Sequence, residues 1–164
     1  MLRIVILGCL LAQAFSWSAL AQDAAQRAAP AISLTQDLRA NAREAASARV
    51  PLAVFFSQDG CPYCEQARRD YLAPMAADPA SRDRVRIVEV EVTAQGTLAD
   101  FSGQRVSPSA LARARGVRTV PTVLFLGARG ETLAAPLVGL TVPDFYQSYL
   151  ERRIEEARAR VRAP

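Results

Sequence analysis

Two cysteines separated by two residues, in Cys61-Pro62-Tyr63-Cys64, are the residues of this sequence best suited to chemistry. They closely follow an apolar run, residues 52–56, which predicts a strand that ends shortly before a helix begins. At the start of a helix, unpaired backbone N–H groups and the helix dipole stabilise a thiolate, the nucleophile of disulfide exchange. The spacing and the position of the cysteines therefore indicate redox chemistry.

Several other chemistries are excluded by composition. The sequence contains no histidine, so a Ser-His-Asp triad, a Cys-His protease and a histidine-based metal site are impossible. Zinc is the usual alternative for two cysteines at this spacing, but it needs about four ligands, and no second cysteine pair is present. A structural disulfide is a further alternative, although so short a loop gives little entropic stabilisation. We predict no metal and no cofactor.

Residues 1–21 have the features of an export signal. Arg3 supplies a positive charge, residues 4–12 are largely apolar, and Ala19-Leu20-Ala21 matches an A-x-A cleavage site. A membrane anchor is the alternative, but Gln13 interrupts the apolar stretch well short of the ~20 residues that span a bilayer. We therefore expect cleavage after Ala21 and, in a bacterium, a periplasmic protein.

Cleavage would leave a short flexible N-terminus, residues 22–32, and one domain over residues 33–164. It would also remove the third cysteine, Cys9, which leaves Cys61 and Cys64 as the only thiols of the mature chain.

Charge gives little indication of a nucleic-acid partner. The 20 basic residues, all arginine, face 16 acidic ones, and they are spread along the chain without a basic stripe interleaved with aromatic residues. The arginine-rich segment at residues 151–162 also contains three glutamates, which is typical of a solvated helix with i,i+4 ion pairs. We expect no nucleic-acid partner.

Four helices are predicted from caps and apolar periodicity. The first begins in a capping box at Ser33-Leu34-Thr35-Gln36 and ends near Ser47. The second carries the cysteines and runs to Pro74, which kinks or ends it. A short third helix is opened by Ser107-Pro108, and the last begins at residues 141–144. The predicted apolar face of the last helix consists of Phe145, Tyr149, Leu150, Ile154, Ala157 and Val161.

Four strands are predicted between these helices. Residues 51–57 are a continuous apolar run, as in a strand buried on both faces, whereas residues 85–92 alternate, with Glu89 and Glu91 on a polar face. Two later strands, residues 122–126 and 131–138, flank a hairpin turn. The pattern predicts an α/β fold in which helices cover both faces of a mixed central sheet. Residues 93–106 exceed the usual loop length, which indicates a functional loop or a small additional element.

The order of these elements, the C-x-x-C motif after the first strand, and Thr119-Val120-Pro121-Thr122 before the third together resemble the thioredoxin superfamily. Cys-Pro-Tyr-Cys itself is similar to the glutaredoxin active site, and the export signal and surrounding segments resemble periplasmic thioredoxin-like proteins of the SoxW type. The resemblance implies a thioredoxin-like fold and a thiol–disulfide oxidoreductase.

The resemblance also implies roles for individual residues. Cys61 would be the attacking cysteine and Cys64 the buried resolving cysteine, which breaks the mixed disulfide with the substrate. Pro121 would follow a cis peptide bond beside the active site, and the backbone of Val120 would pair with an extended substrate. Tyr63 completes the predicted substrate-binding set, since residues between the cysteines tune the thiolate.

Simpler interpretations of these residues remain open. Pro121 could be an ordinary trans proline at the start of an edge strand, and Tyr63 a partly exposed helix residue. Asp59 and Glu65 lie near the thiols and could transfer protons, or they could be a turn residue and a solvated helix residue.

Two positions depart from the thioredoxin pattern. Phe55 stands where thioredoxins carry a buried aspartate that assists the resolving thiol, and Gly60 stands where they carry a tryptophan. These departures put a thioredoxin-like proton-transfer route in doubt, but they leave disulfide exchange possible.

The sequence therefore predicts a periplasmic thiol–disulfide oxidoreductase that exchanges electrons between the Cys61–Cys64 pair and protein disulfides or dithiols. In an oxidising compartment the pair would stay oxidised unless a membrane electron donor reduced it. The alternatives are a glutathione-linked, glutaredoxin-like reductase and a non-catalytic binding module that uses the groove around Pro121 and residues 93–106. The direction of electron flow is open at this stage, because it depends on the reduction potential of the pair.

Overall fold

The structure, a computed structural model, describes residues 32–163 of the 164-residue chain. The predicted export signal and its cleavage site lie outside the described residues, as does the predicted flexible N-terminus except for Ile32. Within residues 32–163, no helix is long and apolar enough to cross a membrane.

The four predicted helices and four predicted strands occur in the predicted order, with additional short elements between them. The helices are α1 (Leu38–Ser47), α2 (Pro62–Ala67), α3 (Ala73–Ala77), α4 (Pro79–Arg82), α5 (Pro108–Ala114) and α6 (Pro143–Arg162), and a π-helical turn (Arg68–Leu72) joins α2 to α3. The strands are β1 (Leu52–Ser57), β2 (Arg86–Glu91), β3 (Leu98–Ala99), β4 (Arg105–Val106), β5 (Thr122–Leu126) and β6 (Thr132–Val138). The main sheet has the order β2-β1-β5-β6, in which only β1 and β2 are parallel. The predicted mixed sheet is confirmed.

Both faces of the sheet are buried at its central strand, β1. Every residue of β1 is buried, and its side chains alternate between two hydrophobic clusters. Phe55 packs in the cluster that contains Cys64 and the buried residues of α6, whereas Phe56 packs with the buried residues of α1 and α5. Strand β1 is therefore central, and the turn that follows it carries the cysteine motif.

The capping box predicted at Ser33–Gln36 is wrong. Asp37 caps α1 instead, and its side chain accepts a hydrogen bond from a backbone N–H of the first turn. Leu34 forms a parallel bridge with Glu89, where the N–H of Thr35 donates to the carbonyl of Glu89 at 2.9 Å. The edge of β2 offers unpaired backbone N–H and carbonyl groups. The backbone around Leu34 pairs with these groups instead of forming the predicted helix cap.

Pro74 does not end the second helix. The π-helical turn precedes it, the N–H of Ala73 donates to the carbonyl of Arg68, and helical structure continues to Ala77. Pro74 thereby falls in the first turn of α3, where a residue without an N–H group is tolerated.

The apolar face predicted for α6 is partly wrong. Phe145 and Tyr149 are 57% and 37% exposed, whereas Tyr146 is buried together with Leu150, Ile154 and Ala157. Counting back one turn from Leu150 leads to Tyr146 rather than Phe145, because helix neighbours lie three or four residues apart.

Residues 93–106 contain the small element that their length indicated. Leu98 pairs with Val106 and Ala99 with Arg105, which makes a two-stranded antiparallel sheet separate from the main one.

Candidate active site

Cys61 and Cys64 are joined by a disulfide bond at the start of α2. Cys61 is the N-cap residue, and its sulfur accepts a hydrogen bond from the backbone N–H of Cys64 at 3.2 Å. Pro62 occupies the first turn, where its missing N–H costs the helix nothing. Cys61 is partly exposed, whereas Cys64 is fully buried, so a partner can reach only the first sulfur directly.

Gly60 explains one departure from the thioredoxin pattern. Its φ angle is +68°, a left-handed conformation that side-chain-bearing residues rarely adopt. A tryptophan at this position would be strained in this backbone, so glycine here suits the turn that delivers Cys61 to the helix.

The segment before β5 lies at the same end of the sheet as the cysteine turn. Phe56 of β1 pairs with Thr122 of β5, so residues after Phe56 and residues before Thr122 lie close together. Cys61 and Val120 both pack against the same core cluster. The Val120–Pro121 peptide bond is cis, as the resemblance implies. The carbonyl of Pro121 accepts the N–H of Gly139 at 2.7 Å, which ties this segment to the end of β6.

Of the other predicted site residues, Tyr63 is 62% exposed and projects from the first turn of α2. Glu65 is exposed and forms an ion pair with Arg68, three residues further along the helix. Asp59 is exposed in the turn before Cys61, and its backbone N–H donates to Glu91 at 3.2 Å.

Glu91 holds the cysteine turn to the sheet. Burial acts to raise the pKa of Glu91, but hydrogen bonds from the hydroxyl and N–H of Thr93 and from the N–H of Asp59 outweigh burial and hold the pKa below its usual value. The carboxylate therefore bridges the end of β2 and the turn before α2.

A buried carboxylate beneath α2 was not expected. Glu89 was predicted on a polar face of its strand, but only 3% of it is exposed. The side chain of Arg68 donates to Glu89 from Nε at 3.0 Å and from Nη2, and the hydroxyl of Ser57 donates to the same carboxylate. The hydrogen bond with Glu89 raises the pKa of the Arg68 guanidinium; desolvation acts to lower it, and the bond with Glu65 raises it further.

Arg68, Glu89 and Ser57 form one network. It lies next to Phe55, the second position that departs from the thioredoxin pattern. The register of β1 and β2 pairs Phe55 with Glu89, so both side chains lie on the α2 side of the sheet. The guanidinium carbon of Arg68 is 5.7 Å from the centre of the Phe55 ring. The sequence contains one signal for this arrangement: Arg68 follows Cys64 by four residues, the spacing of neighbours on one helix face.

The fold and the disulfide at the start of α2 together indicate the class of protein to which this chain belongs. The family described as a thioredoxin-like domain matches residues 38–154, more than half of the chain, so this chain belongs to that family. No curated protein sequence matches it.

Solved structures agree with this fold. The chain is similar to thioredoxin from Malassezia sympodialis, with 18% identity and a TM-score of 0.53 over 79% of this chain and 92% of the other. It is also similar to thioredoxin f from spinach chloroplast, with 17% identity and a TM-score of 0.52 over 79% and 96% of the two chains. Mitochondrial thioredoxin 3 from Saccharomyces cerevisiae gives 20% identity and a TM-score of 0.50 over 76% and 94%.

Proposed function

We propose that this protein is a thiol–disulfide oxidoreductase that exchanges electrons with protein disulfides or dithiols. One observation carries the proposal: the Cys61–Cys64 disulfide at the start of α2 has one partly exposed sulfur and one buried sulfur. An exposed attacking thiol and a protected resolving thiol are what a two-step exchange requires.

The reaction of the reduced protein begins at Cys61. Its thiolate attacks one sulfur of the substrate disulfide, a mixed disulfide forms, and the other substrate sulfur leaves as a thiolate. Cys64 then loses its proton and attacks the Cys61 sulfur, which restores the Cys61–Cys64 bond and releases the second substrate thiolate. Two electrons pass to the substrate in total. If the protein acts as an oxidant instead, the same steps run in reverse, and the Cys61–Cys64 disulfide accepts two electrons from a substrate dithiol.

We further propose that Tyr63 and Val120 contact the substrate chain; Pro121, which the resemblance placed in the same set, is buried in the folded protein. In support, Val120 is partly exposed at the sheet end that also carries the cysteine turn, and Tyr63 is mostly exposed beside Cys61. An extended segment of a partner protein could add its backbone to that of Val120, as in β-augmentation.

The proposed location follows from the sequence of residues 1–21 and from the resemblance to exported, SoxW-type proteins. In the bacterial periplasm, oxidising conditions would keep Cys61 and Cys64 as a disulfide. A protein that donates electrons there would need a membrane electron donor, and one that accepts electrons would need an oxidant.

Turnover of a protein disulfide tests the proposal. Insulin reduction with dithiothreitol as electron donor should be accelerated by the wild-type protein and lost in Cys61→Ser. A rate equal to that of dithiothreitol alone would contradict an oxidoreductase and favour the non-catalytic alternative. Replacing dithiothreitol by glutathione distinguishes the glutaredoxin-like alternative, which predicts turnover with glutathione as the sole donor.

A further inference from the structure

Glu89 and Arg68 form an ion pair between the sheet and the helical segment that carry the dithiol. The side chain of Glu89 is 4% exposed and that of Arg68 is 23% exposed. Taking such charges out of water is costly, and a buried ion pair is often no more stable than a well-packed apolar pair. Stability alone therefore does not account for this pair, and its position relative to the cysteines becomes informative.

Arg68 of this pair lies one helical turn from the buried cysteine, Cys64. Arg68 follows Cys64 by four residues, and its backbone N–H donates to the carbonyl of Cys64. Its guanidinium lies over Phe55, which belongs to the same core cluster as Cys64. Glu89 pairs with Phe55 across the two central strands. Both charges are thus fixed by the helix and the sheet that carry the dithiol.

Several other charged residues, from different elements, face the end of the sheet that carries the cysteine turn. They are Asp59 in the turn before α2, Glu65 in α2, Glu91 in β2, Arg113 in α5 and Arg118 in the segment before Pro121. All except Glu91 are exposed, and solvent and salt weaken Coulomb interactions between exposed charges. Solvent screens the charges of Glu89 and Arg68 less, because both side chains are largely buried.

We propose that Arg68 and Glu89 are positioning residues that set how readily the Cys61–Cys64 disulfide is reduced. This inference rests on the proposed function, since it concerns the same dithiol. Reduction breaks the bond between the two sulfurs, takes up two electrons from an external dithiol and one proton, and leaves a thiolate at Cys61 and a thiol at Cys64.

Charge affects the two redox forms differently. The disulfide is neutral, whereas the reduced form carries a thiolate, so a nearby charge changes mainly the energy of the reduced form. Glu89 disfavours the thiolate and Arg68 favours it. Removing either charge should therefore change the equilibrium constant between the disulfide and the reduced form, and the two removals should change it in opposite directions.

The test is equilibration of purified variants with defined ratios of reduced to oxidised dithiothreitol, followed by alkylation and mass measurement. Glu89→Gln should make the disulfide easier to reduce by about tenfold in the equilibrium constant, which corresponds to about 30 mV for a two-electron couple. Arg68→Gln should make it harder to reduce by a similar factor. The double variant Arg68→Gln/Glu89→Gln should return close to the wild-type value.

The design includes a matched control and a safeguard against unfolding. Glu44 and Arg86 form an ion pair at 3.2 Å between α1 and β2, and Glu44→Gln and Arg86→Gln make the same charge changes away from the dithiol. They should leave the equilibrium constant unchanged. Arg68→Gln strands a buried carboxylate and could prevent folding; in that case Glu89→Gln and the double variant decide the outcome.

A purely structural role would loosen the site in both single variants and shift their equilibrium constants in the same direction. That result, or shifts no larger than those of the controls, would overturn the inference. The pH profile of Cys61 alkylation is a second readout: its midpoint should fall in Glu89→Gln and rise in Arg68→Gln. Because equilibration requires no substrate protein, this test stays separate from insulin turnover, whose failure would overturn the proposed function instead.

Discussion

The backbone N–H of Cys64 donates to the sulfur of Cys61, with nitrogen and sulfur 3.2 Å apart. Cys61 therefore caps its own helix with the atom that would carry the charge after reduction. A helix N-terminus favours negative charge, so this donor would stabilise a Cys61 thiolate more than a Cys64 thiolate. The two cysteines thus differ in both electrostatics and exposure.

Unequal reactivity of the two thiols is the first consequence. In the reduced protein, iodoacetamide should modify Cys61 at least about tenfold faster than Cys64, because alkylation requires an accessible thiolate. Peptide mapping after brief exposure measures the ratio. In guanidinium chloride the two rates should converge, and equal rates in the folded protein would contradict the assigned roles.

Glu91 should make stability depend on pH in the acid range. A carboxylate whose pKa is lowered by folding stabilises the folded protein above its unfolded pKa of about 4.3, and this contribution is lost as pH falls through the lower folded value. Glu91→Gln should therefore unfold at lower urea concentration than the wild type at pH 7, with the difference shrinking toward pH 3.

Thr93→Val provides the matched comparison for Glu91, because it removes one hydrogen-bond donor and leaves the carboxylate. It should reproduce part of the effect of Glu91→Gln at pH 7. A difference between Glu91→Gln and the wild type that stayed constant from pH 7 to pH 3 would show that the ionised state of Glu91 does not carry the effect.

Tyr146 offers a test of the core beneath the active-site helix. Its hydroxyl is buried and has no hydrogen-bond partner among the described residues, while its ring lies 4.7 Å from that of Tyr71. Tyr146→Phe should keep the packing and remove a polar group without a partner, so the free energy of unfolding should stay equal or rise, by up to about 1 kcal/mol.

Tyr71→Phe is the paired variant. The Tyr71 hydroxyl donates to the carbonyl of Pro143 at 2.9 Å, so its loss should cost about 0.5–1 kcal/mol of unfolding free energy. Urea unfolding of both variants measures the contrast. A loss of more than about 1 kcal/mol in Tyr146→Phe would indicate that its hydroxyl is satisfied in the folded protein.

Much of the architecture could be predicted from local sequence. The buried run of β1, the Ser107 cap of α5 and the hairpin of β5 and β6 are each encoded by a few adjacent residues. The cysteine motif and Val120-Pro121 lie far apart in sequence, and the resemblance to thioredoxins was needed to expect them at one end of the sheet.

The predictions from sequence are wrong where contacts with residues distant in the chain decide the local structure or the burial of a side chain. Leu34 pairs with the edge of β2 instead of entering α1, because the edge supplies backbone partners that no local pattern encodes. Glu89 was assigned to a polar face, yet it is buried because Arg68 and Ser57 satisfy its carboxylate. Alternation predicts which face a strand residue occupies, but it cannot predict that a charged partner from a helix covers that face.

Trapping of the mixed disulfide tests the central claim most directly. Reduced Cys64→Ser protein, incubated with an oxidised protein substrate such as insulin, should accumulate a covalent complex linked through Cys61, because no resolving thiol remains to break it. Non-reducing electrophoresis and mass spectrometry detect the complex, and dithiothreitol should release it. The absence of any complex with Cys64→Ser, or equal trapping by Cys61→Ser through Cys64, would contradict the exchange mechanism.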